Sequence, residues 1–181
     1  MTANSRYRGR FAPSPSGPLH AGSLVAALAS YVHARQHQGA WLLRIEDVDE
    51  TRTWPGAADD ILRTLDSLDF EWDDEVIYQS QRKERYAEVL GHLVDSGQAY
   101  PCACSRADVA DRGRLGDQGW IYPGSCREGI PAGKTARVTR LRTNDEAVRF
   151  QDLIAGAQSQ RIESEVGDFV IRRADGYTAY Q

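Results

Sequence analysis

The chain has 181 residues, of which 41% are hydrophobic and 27% charged, with a formal net charge of −4 at pH 7. This length suits one domain with a small inserted module and excludes a second large domain. The net negative charge argues against nucleic-acid binding through bulk positive charge. The apolar run Leu24 to Ala29 is too short for a signal-peptide core. We therefore expect a soluble, cytoplasmic protein without a membrane partner.

Charge is distributed unevenly along the sequence. No Asp or Glu precedes Glu46, so residues 1–45 carry five unopposed arginines, whereas residues 46–75 contain twelve acids. The first stretch is therefore the better candidate for an anion site. Residues 127–149 form a modest basic patch with six basic residues and three acids. A solvated surface and a contact with a polyanion explain that patch about equally well.

The first ninety-odd residues alternate between strand and helix patterns. "GRFAP" predicts a short strand that ends at Pro13, because proline cannot donate to a sheet ladder. The helix that follows stops near Gly39. Apolar residues at helical spacing predict its inward face, which consists of Leu24, Leu28, Tyr31 and Val32.

The segment "AWLLRIEDVD" is typical of a buried strand that ends in carboxylates. Its period of two places Arg44 and Glu46 on one face of the strand and Asp47 on the other. A second helix begins at Pro55, "EVIYQS" forms a short strand, and a third helix ends near Gly97. The resulting βαβαβα order predicts an α/β fold with a parallel sheet.

After Tyr100 the pattern changes. Residues 101–163 contain all three cysteines and show little periodicity, which predicts an inserted module. We accordingly divide the chain into a first half of the main domain at 1–100, the module at 101–163, and a return to the main domain at 164–181. The tail "GDFVIRRADGYTAYQ" predicts two strand segments joined at a turn.

The loop "APSPSGPLHAGS" directly before a helix has the layout of an anion site. Free N–H groups and the helix dipole favour phosphate at a helix N-terminus, and His20 and Ser23 add side-chain donors. The prolines would hold these donors in place before a ligand binds. A rigid connector whose Ser and His cap the helix is an equally good interpretation from these principles alone.

The three cysteines form an odd set in a chain that we expect in the cytosol. Cys102 and Cys104 are too close for a relaxed disulfide, so free thiols or a metal site remain. Three thiolates, those of Cys102, Cys104 and Cys126, with one further ligand would make a tetrahedral zinc site. Such a site would organise a module too rich in glycine to build its own core.

Two motifs identify a family. "RFAPSPSGPLHAGS", followed by "LLRIEDVD", resembles the catalytic core of class I glutamyl-type aminoacyl-tRNA synthetases, and "YQSQR" and "AYPCACSR" continue the resemblance from Arg8 to Gln181. More narrowly, "HAGS", "YPCACSR" and "YPGSCR" are similar to the truncated glutamyl-queuosine tRNA(Asp) synthetase family, which attaches glutamate to the modified wobble base of tRNA(Asp). The resemblance implies a Rossmann-like parallel sheet with an inserted zinc-binding module. It also implies a ligase activity with ATP and Mg²⁺.

The resemblance also implies the site residues. For catalysis they are His20 and Ser23. For ATP they are Pro13, Ser14, His20, Gly22 and Ser23. For L-glutamate they are Arg10, Phe11, Ala12, Pro13, Ser14, Glu46 and Tyr180. For zinc they are Cys102, Cys104, Tyr122 and Cys126, with water as the alternative to the tyrosine. We expect the glutamate pocket to have a guanidinium at one end, from Arg10, and a carboxylate at the other, from Glu46. An ion pair between Glu46 and Arg44 is an alternative role for this carboxylate.

The implied partners are the anticodon stem-loop of tRNA(Asp), ATP and L-glutamate, and we expect a monomer. The lysine-bearing second signature of class I synthetases is absent, so we expect a chain cut before the second half of the fold, with little activation activity alone. Two alternatives stay open: a fragment of standard glutamyl-tRNA synthetase and a non-catalytic, zinc-dependent tRNA-binding module. A nucleotidylyltransferase is disfavoured, because Ser23 stands where that superfamily places a second histidine.

Overall fold

The computed structural model describes residues 6–179, so the predicted glutamate contact of Tyr180 lies outside the described residues. The chain divides into two compact units between Lys83 and Glu84. The boundaries proposed from the sequence, at residues 100 and 163, stay predictions.

The first unit is an α/β layer built on a parallel sheet. Its strands lie in the order β1-β2-β3, and both neighbouring pairs are parallel. The βαβαβ order thus confirms the parallel α/β sheet predicted from the sequence. The elements are β1 (Arg8–Phe11), α1 (Ala21–Gln36), β2 (Ala40–Ile45), α2 (Ala57–Ser67) and β3 (Ile77–Tyr78), with 3₁₀ turns at Glu50–Arg52 and Gln79–Arg82.

The core of this unit lies on one face of β2. Trp41, Leu43 and Ile45 alternate along the strand and are buried against both helices, in agreement with the period of two. From α2 the core receives Ile61 and Leu65. The opposite face of β2 is therefore left to carry polar side chains at its carboxyl end.

The predicted inward face of α1 is wrong for Leu28 and Val32, whereas Tyr31 does pack against the core. Ala27 and Ala34 are fully buried, whereas Leu28 and Val32 are each 53% exposed. The aromatic rings of the core explain the difference, because Tyr31 packs edge-on against Trp41 at 5.2 Å between ring centres. Small alanines let the helix approach these large rings closely, so the bulkier aliphatic residues turn outward.

The second unit is mainly antiparallel. Its three-stranded sheet has the order β10-β7-β4, and two further strand pairs form separate hairpins, β5-β6 and β8-β9. No helix within residues 6–179 is long and apolar enough to cross a membrane. The elements are α3 (Lys83–Asp95), β4 (Ala99–Cys102), α4 (Arg106–Arg112), β5 (Arg114–Gly116), β6 (Gly119–Ile121), β7 (Val138–Leu141), β8 (Ala147–Asp152), β9 (Gly156–Arg161), α5 (Ile162–Glu165) and β10 (Val170–Arg172).

A buried carboxylate joins the segments of the second unit. Asp168 is 1% exposed and accepts hydrogen bonds from the Arg127 guanidinium at 2.5 and 2.6 Å. The backbone N–H and the hydroxyl of Thr143 each donate to it at 2.8 Å, and the Tyr100 hydroxyl donates as well. Burial alone would raise the pKa of Asp168, but these hydrogen bonds outweigh it and lower the pKa to about 2.

We predict that Asp168→Asn destabilises the second unit by about 3 kcal/mol at pH 7, because it leaves the Arg127 guanidinium without its main counter-charge. The contribution of Asp168 is complete above its unfolded pKa of about 4. It is lost as the pH falls toward the folded-state pKa of about 2. Urea unfolding of wild type and variant across this range measures the difference, which shrinks in acid. Asp117→Asn, at an exposed position, is the matched control with little effect. Equal stability of wild type and Asp168→Asn at pH 7 would contradict the prediction.

Candidate functional site

The carboxyl ends of β1 and β2 lie side by side because the two strands are parallel. Beyond the paired residues, the backbone N–H of Glu46 donates to the Pro13 carbonyl at 2.9 Å. The N–H of Trp54 donates to the Pro15 carbonyl, also at 2.9 Å. These two bonds tie the proline-rich loop to the acidic segment that follows β2. Two motifs some thirty residues apart in sequence therefore form one site.

The candidate glutamate-binding residues are placed differently within this site. Arg10 and Ser14 are exposed, whereas Pro13 is buried. The Phe11 ring belongs to the hydrophobic core and stacks on Trp41 with 6.3 Å between ring centres. A small ligand at this edge would therefore meet the backbone of Phe11 and not its ring.

Glu46 forms an ion pair within its own strand end. A guanidinium nitrogen of Arg44 lies 2.5 Å from its carboxylate, and both side chains are mostly buried. This is the arrangement expected from the period of two, which places both residues on the same face. The pair orients Glu46 beside the loop, and any ligand cation at this edge would share the carboxylate with Arg44.

Asp47 points to the opposite face and has a different task. Its carboxylate accepts hydrogen bonds from the backbone N–H of Ser80 at 2.8 Å and from the Ser80 hydroxyl at 2.6 Å. These bonds fix the 3₁₀ turn Gln79–Arg82 against the end of β2. The "RIED" motif therefore combines an acid at the candidate pocket with an acid that holds the neighbouring segment.

The N-terminus of α1 opens beside the loop. His20 is the N-cap residue, and its Nδ1 accepts a hydrogen bond from the Ser23 backbone N–H at 3.3 Å. Because Nδ1 is the acceptor, the proton of the neutral ring is on Nε2, which can donate to a ligand. The first turn of α1 contains no acid, so the positive end of the helix dipole is not neutralised locally. Capping and anion binding are thus compatible roles for His20.

Gly22 allows the His20 ring to occupy this position. A Cβ atom at Gly22 would lie 3.0 Å from Cε1 and 3.1 Å from Nδ1 of the ring. Such a contact is tighter than carbon atoms normally tolerate, so a side chain here would push the imidazole away from the helix end. This close approach explains the spacing of histidine and glycine in "HAGS".

The three cysteines of the second unit converge. The sulfur atoms of Cys102, Cys104 and Cys126 all lie within 4.8 Å of one another, and those of Cys104 and Cys126 are 3.7 Å apart. The Tyr122 hydroxyl lies 3.4 Å from the Cys102 sulfur and 3.8 Å from that of Cys104. It also accepts the backbone N–H of Cys126 at 2.8 Å. Three sulfurs and one oxygen therefore surround a common point.

These distances fit a tetrahedral metal centre. With metal–sulfur bonds of about 2.3 Å, a tetrahedron has sulfur–sulfur edges of about 3.8 Å, and sulfur–oxygen edges of about 3.5 Å. The Cys104–Cys126 and Cys102–Tyr122 distances above match these values. The cysteine cluster can therefore hold a metal ion, with Tyr122 in place to complete the set.

Burial disfavours the ionised forms of Cys104 and Tyr122. Burial raises the pKa of the Cys104 thiol to about 11, and the sulfur atoms of Cys126 and Cys102 act in the same direction. Burial also raises the pKa of the Tyr122 hydroxyl, and its hydrogen bonds with the Cys102 and Cys126 side chains act in the same direction. A bound metal ion would reverse this preference, because it coordinates the deprotonated forms.

Gly167 holds the chain close to Tyr122. It has a φ of +77°, and a Cβ atom there would lie 2.8 Å from the Tyr122 nitrogen. Only glycine combines this left-handed conformation with such a close approach to another backbone. The segment that carries the neighbouring Asp168 is therefore held against the backbone of Tyr122.

The sequence did not reveal the polar network around this cluster. Arg127 and Arg140 belong to the predicted basic patch, yet neither lies on a solvated face or is free for a polyanion. Arg127 pairs with Asp168 and with Glu163, and Arg140 is 8% exposed. The only signal in the sequence was an excess of basic residues near the cysteines. Such an excess does not show whether the basic side chains pair with acids of the same chain or with a separate polyanion.

Comparison with known proteins agrees with this geometry. The family model described as "tRNA synthetases class I (E and Q), catalytic domain" matches residues 6–181. The chain is 58% identical over 180 residues to a protein of Dechloromonas aromatica, covering 98% of this chain and 60% of that protein. It is 53% identical over 184 residues to one of Burkholderia cenocepacia, covering 98% and 61%. Both relatives are named Glutamyl-Q tRNA(Asp) synthetase.

Two solved structures show the same fold. A glutamate tRNA ligase of Elizabethkingia meningosepticum, in complex with its amino acid, superposes with a TM-score of 0.78 at 24% identity, covering 97% of this chain and 40% of that one. The glutamate-tRNA synthetase of Elizabethkingia anophelis gives the same TM-score and identity. This chain spans about 60% of the length of the curated relatives it matches. From the motifs, the fold and the family match together, the chain belongs to the class I tRNA synthetases for E and Q, as part of their catalytic domain.

Proposed function

We propose that this chain is the glutamate- and ATP-binding part of an enzyme that activates L-glutamate as glutamyl-adenylate and transfers it to queuosine at the wobble position of tRNA(Asp). The observation that carries this choice is the 58% identity to a protein named Glutamyl-Q tRNA(Asp) synthetase. The two neighbouring structures, at 24% identity, support the fold alone. The geometry of the strand ends supports the same chemistry.

The α1 N-terminus is the proposed ATP site. Its N–H groups, the Nε2 proton of His20 and the Ser23 hydroxyl would stabilise phosphate charge as pyrophosphate leaves, with Mg²⁺ as the counter-ion of the nucleotide. The loop at Pro13 and Ser14 is held by the Glu46–Pro13 bond before any ligand arrives. Gly22 keeps the histidine at the helix end. The site is therefore ordered in advance, which lowers the entropic cost of binding.

The glutamate site is proposed at the same strand ends. Arg10 supplies a guanidinium for a substrate carboxylate, and Glu46 a carboxylate for the substrate ammonium. The backbone of residues 11–14 lies between them. In this arrangement Arg44 stays bonded to Glu46 and orients it, so the ion pair and the substrate contact are compatible. Tyr180 is proposed as a further contact from the family resemblance.

In the second unit we propose a structural zinc ion held by Cys102, Cys104, Cys126 and Tyr122. Zinc is the metal that thiolate-rich tetrahedral sites prefer. It would crosslink β4 to the segment at 122–126, which contains little regular structure. The short distances from the Tyr122 hydroxyl to two sulfurs favour the tyrosine over water as the fourth ligand.

For the whole protein we propose a cytoplasmic monomer whose macromolecular partner is the anticodon stem-loop of tRNA(Asp). The names of the relatives favour this over a fragment of standard glutamyl-tRNA synthetase. The non-catalytic, zinc-dependent tRNA-binding module is the rival from another class, and it differs in forming no glutamyl product.

The position of glutamate on the tRNA tests the proposed function. With the whole protein, we expect labelled glutamate, in the presence of ATP, to enter the anticodon fragment of nuclease-digested tRNA(Asp), and only when the tRNA contains queuosine. Label at the 3′ adenosine would instead assign the chain to the standard enzyme. Binding of tRNA without label in either fragment would support the non-catalytic module.

We predict that Glu46→Gln weakens glutamate binding about tenfold to a hundredfold, because a hydrogen bond to a charged group contributes about 1.5–3 kcal/mol. Calorimetric titration with L-glutamate measures the loss. Glu75→Gln, an exposed acid of the same unit, is the matched control and should bind as wild type does. An unchanged affinity in Glu46→Gln would show that Glu46 serves only its ion pair with Arg44.

We predict that Gly22→Ala weakens ATP binding several-fold, since the added methyl group meets the His20 ring at about 3 Å. Titration with ATP and Mg²⁺ gives the affinity. Gly91→Ala is the control, because a Cβ atom at this helical position meets nothing within 4 Å and should only stabilise α3. If ATP binds equally well to both variants, the His20 ring does not contact the nucleotide.

A further inference from the structure

Arg140 is a buried cation beside the cysteine cluster. It lies on β7 opposite Tyr100 of β4, two residues along the ladder from the pair formed by Val138 and Cys102. Its residue surface is only 8% exposed. A guanidinium in such a position is costly unless it is hydrogen-bonded and its charge is compensated.

The contacts of Arg140 are directed at the candidate metal ligands. Its Nε donates to the sulfur of Cys102 at 3.3 Å, and its central carbon lies 3.8 Å from the ring centre of Tyr122. Its Nη1 donates to the backbone carbonyl of Asp168 at 2.6 Å. One side chain thus contacts two of the four proposed ligands and is itself held by a peptide oxygen.

No carboxylate within residues 6–179 forms an ion pair with this guanidinium. Arg127 takes the Asp168 carboxylate in an ion pair, whereas Arg140 reaches only the carbonyl of that residue. The ionisable side chains that Arg140 contacts directly are those of Cys102 and Tyr122. In a site loaded with a metal ion, the deprotonated ligands would therefore lie against this guanidinium.

The charge of a loaded site explains why a cation is needed there. Three thiolates and one phenolate around a divalent ion sum to −2, a charge that is expensive in a buried position. The Cys102 sulfur also accepts the backbone N–H of Cys104 at 3.4 Å, so two donors converge on it. Donors of this kind orient a ligand and reduce the charge on it.

We propose that Arg140 is a positioning residue of the metal centre, which holds the Cys102 sulfur and the Tyr122 ring in place and offsets the excess negative charge of the ligands. This inference rests on the zinc site of the proposed function. The zinc is structural, so Arg140 acts on metal affinity and on ligand geometry and has no contact with the reacting atoms of the substrate.

Zinc affinity tests the inference. We expect the wild-type chain to contain about one zinc per molecule, which is lost when Cys102 and Cys104 are both changed to serine. Competition with a chromophoric chelator should show that Arg140→Gln binds zinc about 10–100-fold more weakly, as is usual when a residue that orients a ligand is removed. Arg137→Gln removes an exposed arginine of the same segment and should keep the wild-type affinity.

A spectroscopic measurement separates positioning from folding. With Co²⁺ in place of zinc, the sulfur-to-metal charge-transfer band of Arg140→Gln should shift relative to wild type, which a general loss of stability would not cause. Arg140→Lys keeps the charge but loses the Nε donor and the planar contact with the ring. It should fall between wild type and Arg140→Gln in affinity, and it decides the question if the glutamine variant does not fold.

The outcomes distinguish the proposed zinc site from the proposed role of Arg140 at that site. A wild-type chain without bound zinc would overturn the metal centre, and the role of Arg140 with it. A wild-type chain with one zinc, together with Arg140 variants of unchanged affinity and unchanged Co²⁺ spectrum, would overturn only the role of Arg140. Weaker binding with a shifted band in Arg140→Gln, and wild-type behaviour in Arg137→Gln, would support it.

Discussion

The parallel pairing of β1 and β2 is the constraint on which the first unit depends. Parallel strands end at the same edge of a sheet, so the proline-rich loop after β1 must lie beside the acids after β2. The bond from the Glu46 N–H to the Pro13 carbonyl fixes that relation. Because β2 is buried on the face that carries Trp41, its opposite face is free to present Arg44 and Glu46. The hydrophobic core and the candidate site thus lie on opposite faces of β2.

The second unit is organised by a different interaction. It has little apolar core of its own beyond the cysteine cluster, and its polar side chains are satisfied internally around Asp168. Arg127 compensates the carboxylate of that residue, and Arg140 binds its carbonyl while facing Cys102. Arg140 therefore connects the hydrogen-bond network around Asp168 to the proposed metal centre. A substitution that displaces one of them is expected to displace the other, since both depend on the position of the short segment at 167–168.

Much of the first unit follows from local pattern. The period of two in "AWLLRIED" placed the strand and the polar pair Arg44 and Glu46 correctly, and the order of elements predicted a parallel sheet. The inward face of α1 was not predictable in the same way. Hydrophobic periodicity assigns large residues to the core, whereas the aromatic rings of Tyr31 and Trp41 left room there only for Ala27 and Ala34.

The sequence by itself determined which chemical groups this protein has: a histidine and glycine at a helix start, an arginine and an acid at strand ends, and three cysteines in a glycine-rich segment. The tertiary structure alone decided which of them meet. It brought Tyr122 to the sulfurs and buried Arg140 against them. Composition and spacing record the charge of a residue but not its distance from residues far along the chain, and that distance depends on packing.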